Sequence, residues 1–139
     1  FKKCRNSGMS VKDGATATAT RCEFMENVRG CGVSCRGANT KVRLNDCKMH
    51  HNNTCGLAAE DHAVVDFRGT KTDIHSNKGD GIFAYSHAKV NIHLPSQHNT
   101  SHGNVEDDRS QDDGGSIANI NADGTFTHVV DDNDDEDDY

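Results

Sequence analysis

Apolar residues along this chain recur at every second position in short runs, and the runs fall into three sets that repeat. One set reads Ala17/Ala19, Val42/Leu44, Val65/Phe67 and Val90/Ile92/Leu94. A second reads Cys22/Phe24, Cys47/Met49 and Thr72/Ile74, and a third Met9/Val11, Val33/Cys35, Leu57/Ala59 and Ile82/Ala84. A period of two is the mark of half-buried strands, because successive side chains of a strand point to opposite faces. No helical period of comparable length competes with it. The pattern predicts short strands in repeating triplets.

A second signal runs at the period of the triplets. Asn27 is followed by Gly32-Val33, Asn52 by Gly56-Leu57 and Asn77 by Gly81-Ile82, with a fainter copy at Asn6 and Gly8-Met9. A fixed spacing in this range means stacked supersecondary units rather than one closed core. The recurrent Asn, at 6, 27, 52, 77 and 99, is expected at an inward corner between strands. Asn tolerates unusual backbone angles and hydrogen-bonds locally, and stacked amides can bond along the solenoid as a ladder. The glycines that follow are expected to serve the exit from that corner.

This pattern resembles the right-handed parallel β-helix repeat of pectate-lyase-like proteins and the wider group of carbohydrate-binding proteins and sugar hydrolases, over about residues 4–100. The Gly-Ser-Ile-Ala-Asn-Ile-Asn phrase from Gly115 is similar to the ending of small microalgal β-helix proteins. The implied fold is all-β, a right-handed parallel β-helix of about four to five coils with a C-terminal cap and an acidic tail. Coils are expected over 1–104, a polar loop and capping strand over 105–130, and the tail over 131–139; the polar stretch itself reads as 96–113.

Composition fits a thin solenoid. Only 32% of the 139 residues are apolar and none is Trp, so a thick two-layer core would be hard to fill. The net charge of −7 argues against nucleic-acid binding, which needs a basic footprint. No apolar run approaches the roughly 18 residues of a membrane span. Of the six cysteines, Cys22 and Cys47 share an inward position where a thiol serves as a small buried hydrophobe. Reduced cysteines are therefore favoured, which leans towards an intracellular compartment. Cys31 and Cys55 share another position, and stacked coils would hold their Cα atoms roughly 5 Å apart, inside disulfide range. Phe1 enters almost directly into a coil, so that open end is expected either to continue from earlier coils or to be covered by a protein partner.

Lyases and epimerases of the resembled fold place an acidic cluster, often holding Ca²⁺, beside a basic residue. Here the outward column of the third strand set reads Lys12, Arg36, Glu60, Tyr85, and no three carboxylates share a column. No residue is assigned catalysis, and no metal or cofactor is expected. His50 and His75 should stack with His51 beside them, and His62 and His87 at a corner, as surface histidines. Phe83 and Tyr85 must both point outward, which marks a contact with a sugar ring, a partner protein or this chain's own tail folding back. A mild basic stripe of Lys41, Arg43, Arg68, Lys89 and His93, broken by Asp66, reads first as a solvated face. The expectation is a non-catalytic scaffold or interaction module, suited to serve as one subunit of an assembly, with a protein partner on the open end or the Phe83/Tyr85 face. The alternative is a carbohydrate-binding or polysaccharide-modifying protein in which Phe83, Tyr85, Arg36 and Glu60 meet a glycan.

Overall fold

The computed structural model describes residues 2–93 and 101–128 of the chain. It is an all-β solenoid of about four turns. Successive coils stack their strands in parallel into three sheets, one of which ends in an antiparallel strand. The front sheet contains β1 (Met9–Lys12), β4 (Val33–Arg36), β7 (Leu57–Glu60), β10 (Ile82–Tyr85) and β13 (Arg109–Asp112). The long sheet contains β2 (Thr16–Thr20), β5 (Lys41–Asn45), β8 (Val64–Arg68), β11 (Lys89–His93) and β14 (Ser116–Ile120). The short sheet contains β3 (Glu23–Met25), β6 (Lys48–His50), β9 (Asp73–His75) and β12 (Ser101–His102). No helix among the described residues is long and apolar enough to cross a membrane.

The register stacks like on like. Val42, Val65 and Val90 are consecutive partners, as are Leu44, Phe67 and Ile92. Phe24, Met49 and Ile74 form the inner column of the short sheet, and Val33, Leu57 and Ile82 that of the front sheet. All of these side chains are buried. Burying one such side chain fully contributes about 1.5–3 kcal/mol, so a few inward residues per coil sustain the stack.

The ladder forms with different end members from those expected. Asn27, Asn52, Asn77 and Asn104 are its amides, each side-chain Nδ2 donating to the next Oδ1 at 2.7, 2.9 and 2.8 Å in turn. Asn6 is exposed and does not take the first rung. Cys4 does, its backbone N–H donating to Asn27 Oδ1 at 3.0 Å. Asn99 lies outside the described residues, and Asn104 holds the rung after Asn77. The reason is spacing: Cys4, Asn52, Asn77 and Asn104 each precede a front-sheet strand by five residues. The unusual backbone angle is also displaced, since it falls on the residue before each rung: Lys3, Glu26, His51, Ser76 and Gly103 have φ of 57, 56, 56, 57 and 63°. The rung itself is left free to aim its amide inward.

Gly32, Gly56 and Gly81 are required for space, not for a left-handed angle. A Cβ on Gly56 would lie 2.6 Å from Ile74 Cγ2 and 2.7 Å from the Gly81 carbonyl oxygen. The glycine lets each coil settle on the next beside the ladder.

The stretch expected as a polar loop is another coil where it is described. β12 pairs with β9 and β13 with β10, both parallel. Arg109 and Gln111 occupy the slots that Ile82 and Ala84 fill one coil earlier. Backbone ladders and the Asn104 rung hold this coil, so it lacks the apolar alternation that would announce it. Beyond it, β15 (Phe126–His128) turns back antiparallel onto β14, pairing that strand's outer edge. The acidic tail lies outside the described residues.

Candidate functional site

The front sheet turns its alternate residues outward, and this gathers the four expected site residues on one face. Arg36 ends β4, Glu60 ends β7 and is its direct partner, and Phe83 and Tyr85 follow on β10. Lys12 stands before Arg36 and Asp112 beside Tyr85. The Phe83 and Tyr85 rings stack with centroids 5.7 Å apart and 20° between their planes. Phe83 is half-buried and Tyr85 is 39% exposed. Ala58, the partner of Phe83 one coil back, is buried although it lies on the outward column, so the apolar centre extends beyond the two rings.

The rim of this face is charged. Arg36 Nε donates to Asp61 Oδ2 at 3.1 Å, both side chains substantially exposed. Asp61 sits at the corner where the chain leaves β7, with φ of 52°. The ion pair therefore runs to this corner carboxylate, while Glu60 stays the direct strand partner of Arg36. Lys12, Asp13, Arg36, Gly37 and Asp61 line an open hollow at the same corner.

A second cluster lies on the short sheet. His50, His75 and His102 stack along the solenoid axis, with centroids 4.9 and 5.5 Å apart and planes 3° and 19° from parallel. His51 meets His50 edge-on at 4.8 Å. The ends of the column are held by carboxylates: Glu23 Oε2 lies 2.6 Å from His50 Nε2, and Asp73 Oδ1 2.7 Å from His102 Nε2. Burial holds His75 below the usual imidazole range, with Asp73 pulling the other way and the neighbouring His50, His102 and His51 adding to the depression. Hydrogen bonding to His50 holds the Glu23 carboxyl below its ordinary value.

No group of three or more His, Cys, Asp or Glu among the described residues is placed to hold a metal ion. The geometry says why. Ring lone pairs lie in the ring plane, so imidazoles stacked face to face direct their nitrogens alongside one another rather than at a common centre. His102 was not expected in this column because it falls in the coil that lacks apolar alternation. Its spacing does reveal it, since His50, His75 and His102 each precede a ladder Asn by two residues.

His62 and His87 also stack at the front-to-long corner, at 5.1 Å and 17°. The next corner carries Gly114, where any Cβ would collide with the His87 ring. On the long sheet the basic stripe is interrupted as expected: Asp66 accepts from Asn91 Nδ2 at 3.3 Å and lies 2.7 Å from His93 Nε2.

Among known families, the one described as right handed beta helix region matches residues 1–129. No curated protein and no solved structure matches the chain.

Proposed function

We propose that this chain, a member of the right-handed β-helix family, acts as a non-catalytic protein-interaction module whose docking face is centred on Phe83 and Tyr85. The observation that carries this reading is the stacked, outward aromatic pair. An aromatic centre with charged residues along one edge, here Lys12, Arg36, Asp61 and Asp112 at the strand ends, fits a protein interface, in which buried aromatic and Arg anchors dominate the energy. The stacking also weighs against a sugar platform. Each ring turns one face to the other, which leaves less open π-surface for a pyranose ring to lie on.

The reading is tested with wild type and the double variant Phe83→Ala/Tyr85→Ala, checked by circular dichroism for intact strands. Both are offered to an extract of the source cells and, separately, to neutral and anionic polysaccharides in affinity gels. One defined protein should bind wild type and bind the variant about thirty-fold more weakly, the consequence of losing roughly 2 kcal/mol of anchor energy. Retardation by a polysaccharide that depends on the two rings, with no protein bound, would replace this reading with glycan binding.

A further inference from the structure

The position just before the coil-exit glycine forms a column of its own. Gly8 N–H donates to the Cys31 carbonyl at 3.2 Å, Gly32 N–H to Cys55 at 3.1 Å and Gly56 N–H to Asp80 at 3.1 Å. These bonds place Ser7, Cys31, Cys55 and Asp80 one above another in successive coils. Equivalent residues of paired strands lie about 4.8 Å apart, and a disulfide accepts Cα separations from about 4.4 to 6.8 Å. Cys31 and Cys55 are both half-buried, so their sulfurs are neither sealed in the core nor fully exposed. Cys31 Sγ also lies 3.4 Å from Thr54 Oγ1.

We propose that Cys31 and Cys55 form a reactive dithiol that small-molecule disulfides such as oxidised glutathione convert into a staple between adjacent coils. The other inward thiols differ from this pair. Cys35 and Cys47 are buried among apolar side chains, and burial pushes the Cys35 thiol up to about 11. Burial raises Cys47 as well. Cys31 moves the opposite way, lowered to about 7, chiefly because the Cys55 thiol hydrogen-bonds to it, with Thr54 assisting. The same contact, with burial, raises Cys55. Cys31 therefore supplies more thiolate near neutral pH than an ordinary cysteine, and the thiolate is the attacking species.

The chemistry balances in two exchanges. The Cys31 thiolate attacks one sulfur of the small disulfide, forming a protein mixed disulfide and expelling one small thiolate. That thiolate takes the Cys55 proton. Cys55 sulfur then attacks Cys31 sulfur, the bond to the small thiol breaks, and the second small thiolate leaves, to be protonated by solvent. The two protein thiols are oxidised by two electrons, and the small disulfide is reduced to two thiols.

The test uses the full chain, reduced and then incubated with oxidised glutathione at pH 7.5. Fragment mapping by mass spectrometry should find the Cys31–Cys55 bond first, with Cys35 and Cys47 still open to alkylation after unfolding. Dithiothreitol should reverse it, and the stapled form should melt roughly 5–15 °C higher. Cys55→Ser should stop at a glutathione adduct on Cys31; Ser7 already occupies the same column, so serine suits the position. Scrambled bonds among the cysteines would overturn the proposal. So would a Cys31 that is alkylated no faster than Cys4 or Cys22, or a wild-type glutathione adduct that never resolves.

Discussion

A single buried amide illustrates how this fold is specified. Asn52 is fully buried; its Nδ2 donates to Asn77 Oδ1 and to the Phe24 carbonyl at 3.2 Å, and its Oδ1 accepts from Asn27 Nδ2. Asn52→Ala strands these partners away from water, and each orphaned buried group costs about 1–3 kcal/mol. Urea unfolding should show a loss of roughly 2–4 kcal/mol; a loss below about 0.5 kcal/mol would mean the ladder does not hold the coils. Gly56→Ala should also destabilise, because its Cβ meets the Gly81 carbonyl, which cannot swing aside as a side-chain end can. At this scale the sequence was legible wherever residue type and spacing agreed. Asn52 and Asn77 satisfied both, and Asn27 stands one residue further out, six before Val33. Asn6 and Asn99 satisfied residue type alone, while Cys4 and Asn104 stand at the five-residue spacing. A backbone N–H is enough for the first rung, so residue type misleads there.

The histidine column gives the molecule an acid-sensitive side. His75 is held below its ordinary value, so the folded state favours the neutral ring. The contribution is intact above about pH 6.5 and is lost as the pH falls below it, because the unfolded chain then binds the proton first. Glu23 acts in the same direction at lower pH: its depressed carboxyl stabilises the fold above its ordinary value and stops doing so once it is protonated. The urea midpoint should therefore fall between pH 7.5 and 5.5, and His75→Gln should flatten that slope; equal slopes would remove His75 as the cause. The Arg36–Asp61 pair is exposed on both sides. Asp61→Ala should change stability by no more than about 1 kcal/mol, and a larger loss in thermal unfolding would show that the corner depends on it. Strands with alternating apolar residues were readable in advance, and their register follows from stacking like on like. The coil containing β12 and β13 was not, because Arg109 and Gln111 replace the apolar pair and backbone bonding carries the strand.

For the molecule as a whole, a narrow core has no spare volume to hide an error. Leu57 sits between Val33 and Ile82 in the middle of the stack and is fully buried. Leu57→Asp places a charge there with no partner and should abolish the cooperative melting transition. The fold was written in the repeat, whereas for function the repeat offered only a candidate face, the outward residues Arg36, Glu60, Phe83 and Tyr85 on which the proposed docking rests. The columns predicted that these four would share a face. They did not predict that the two rings would stack on each other or that Arg36 would turn to Asp61, since rotamers and corners are decided by neighbours in three dimensions. The docking role is tested first by the native mass of this protein in a gentle extract of its source, set against the 15.1 kDa of the chain. A docking face on Phe83 and Tyr85 predicts elution within a larger protein assembly, from which Phe83→Ala/Tyr85→Ala is released. Elution of the wild type as a free chain, unchanged by the substitutions, would contradict it.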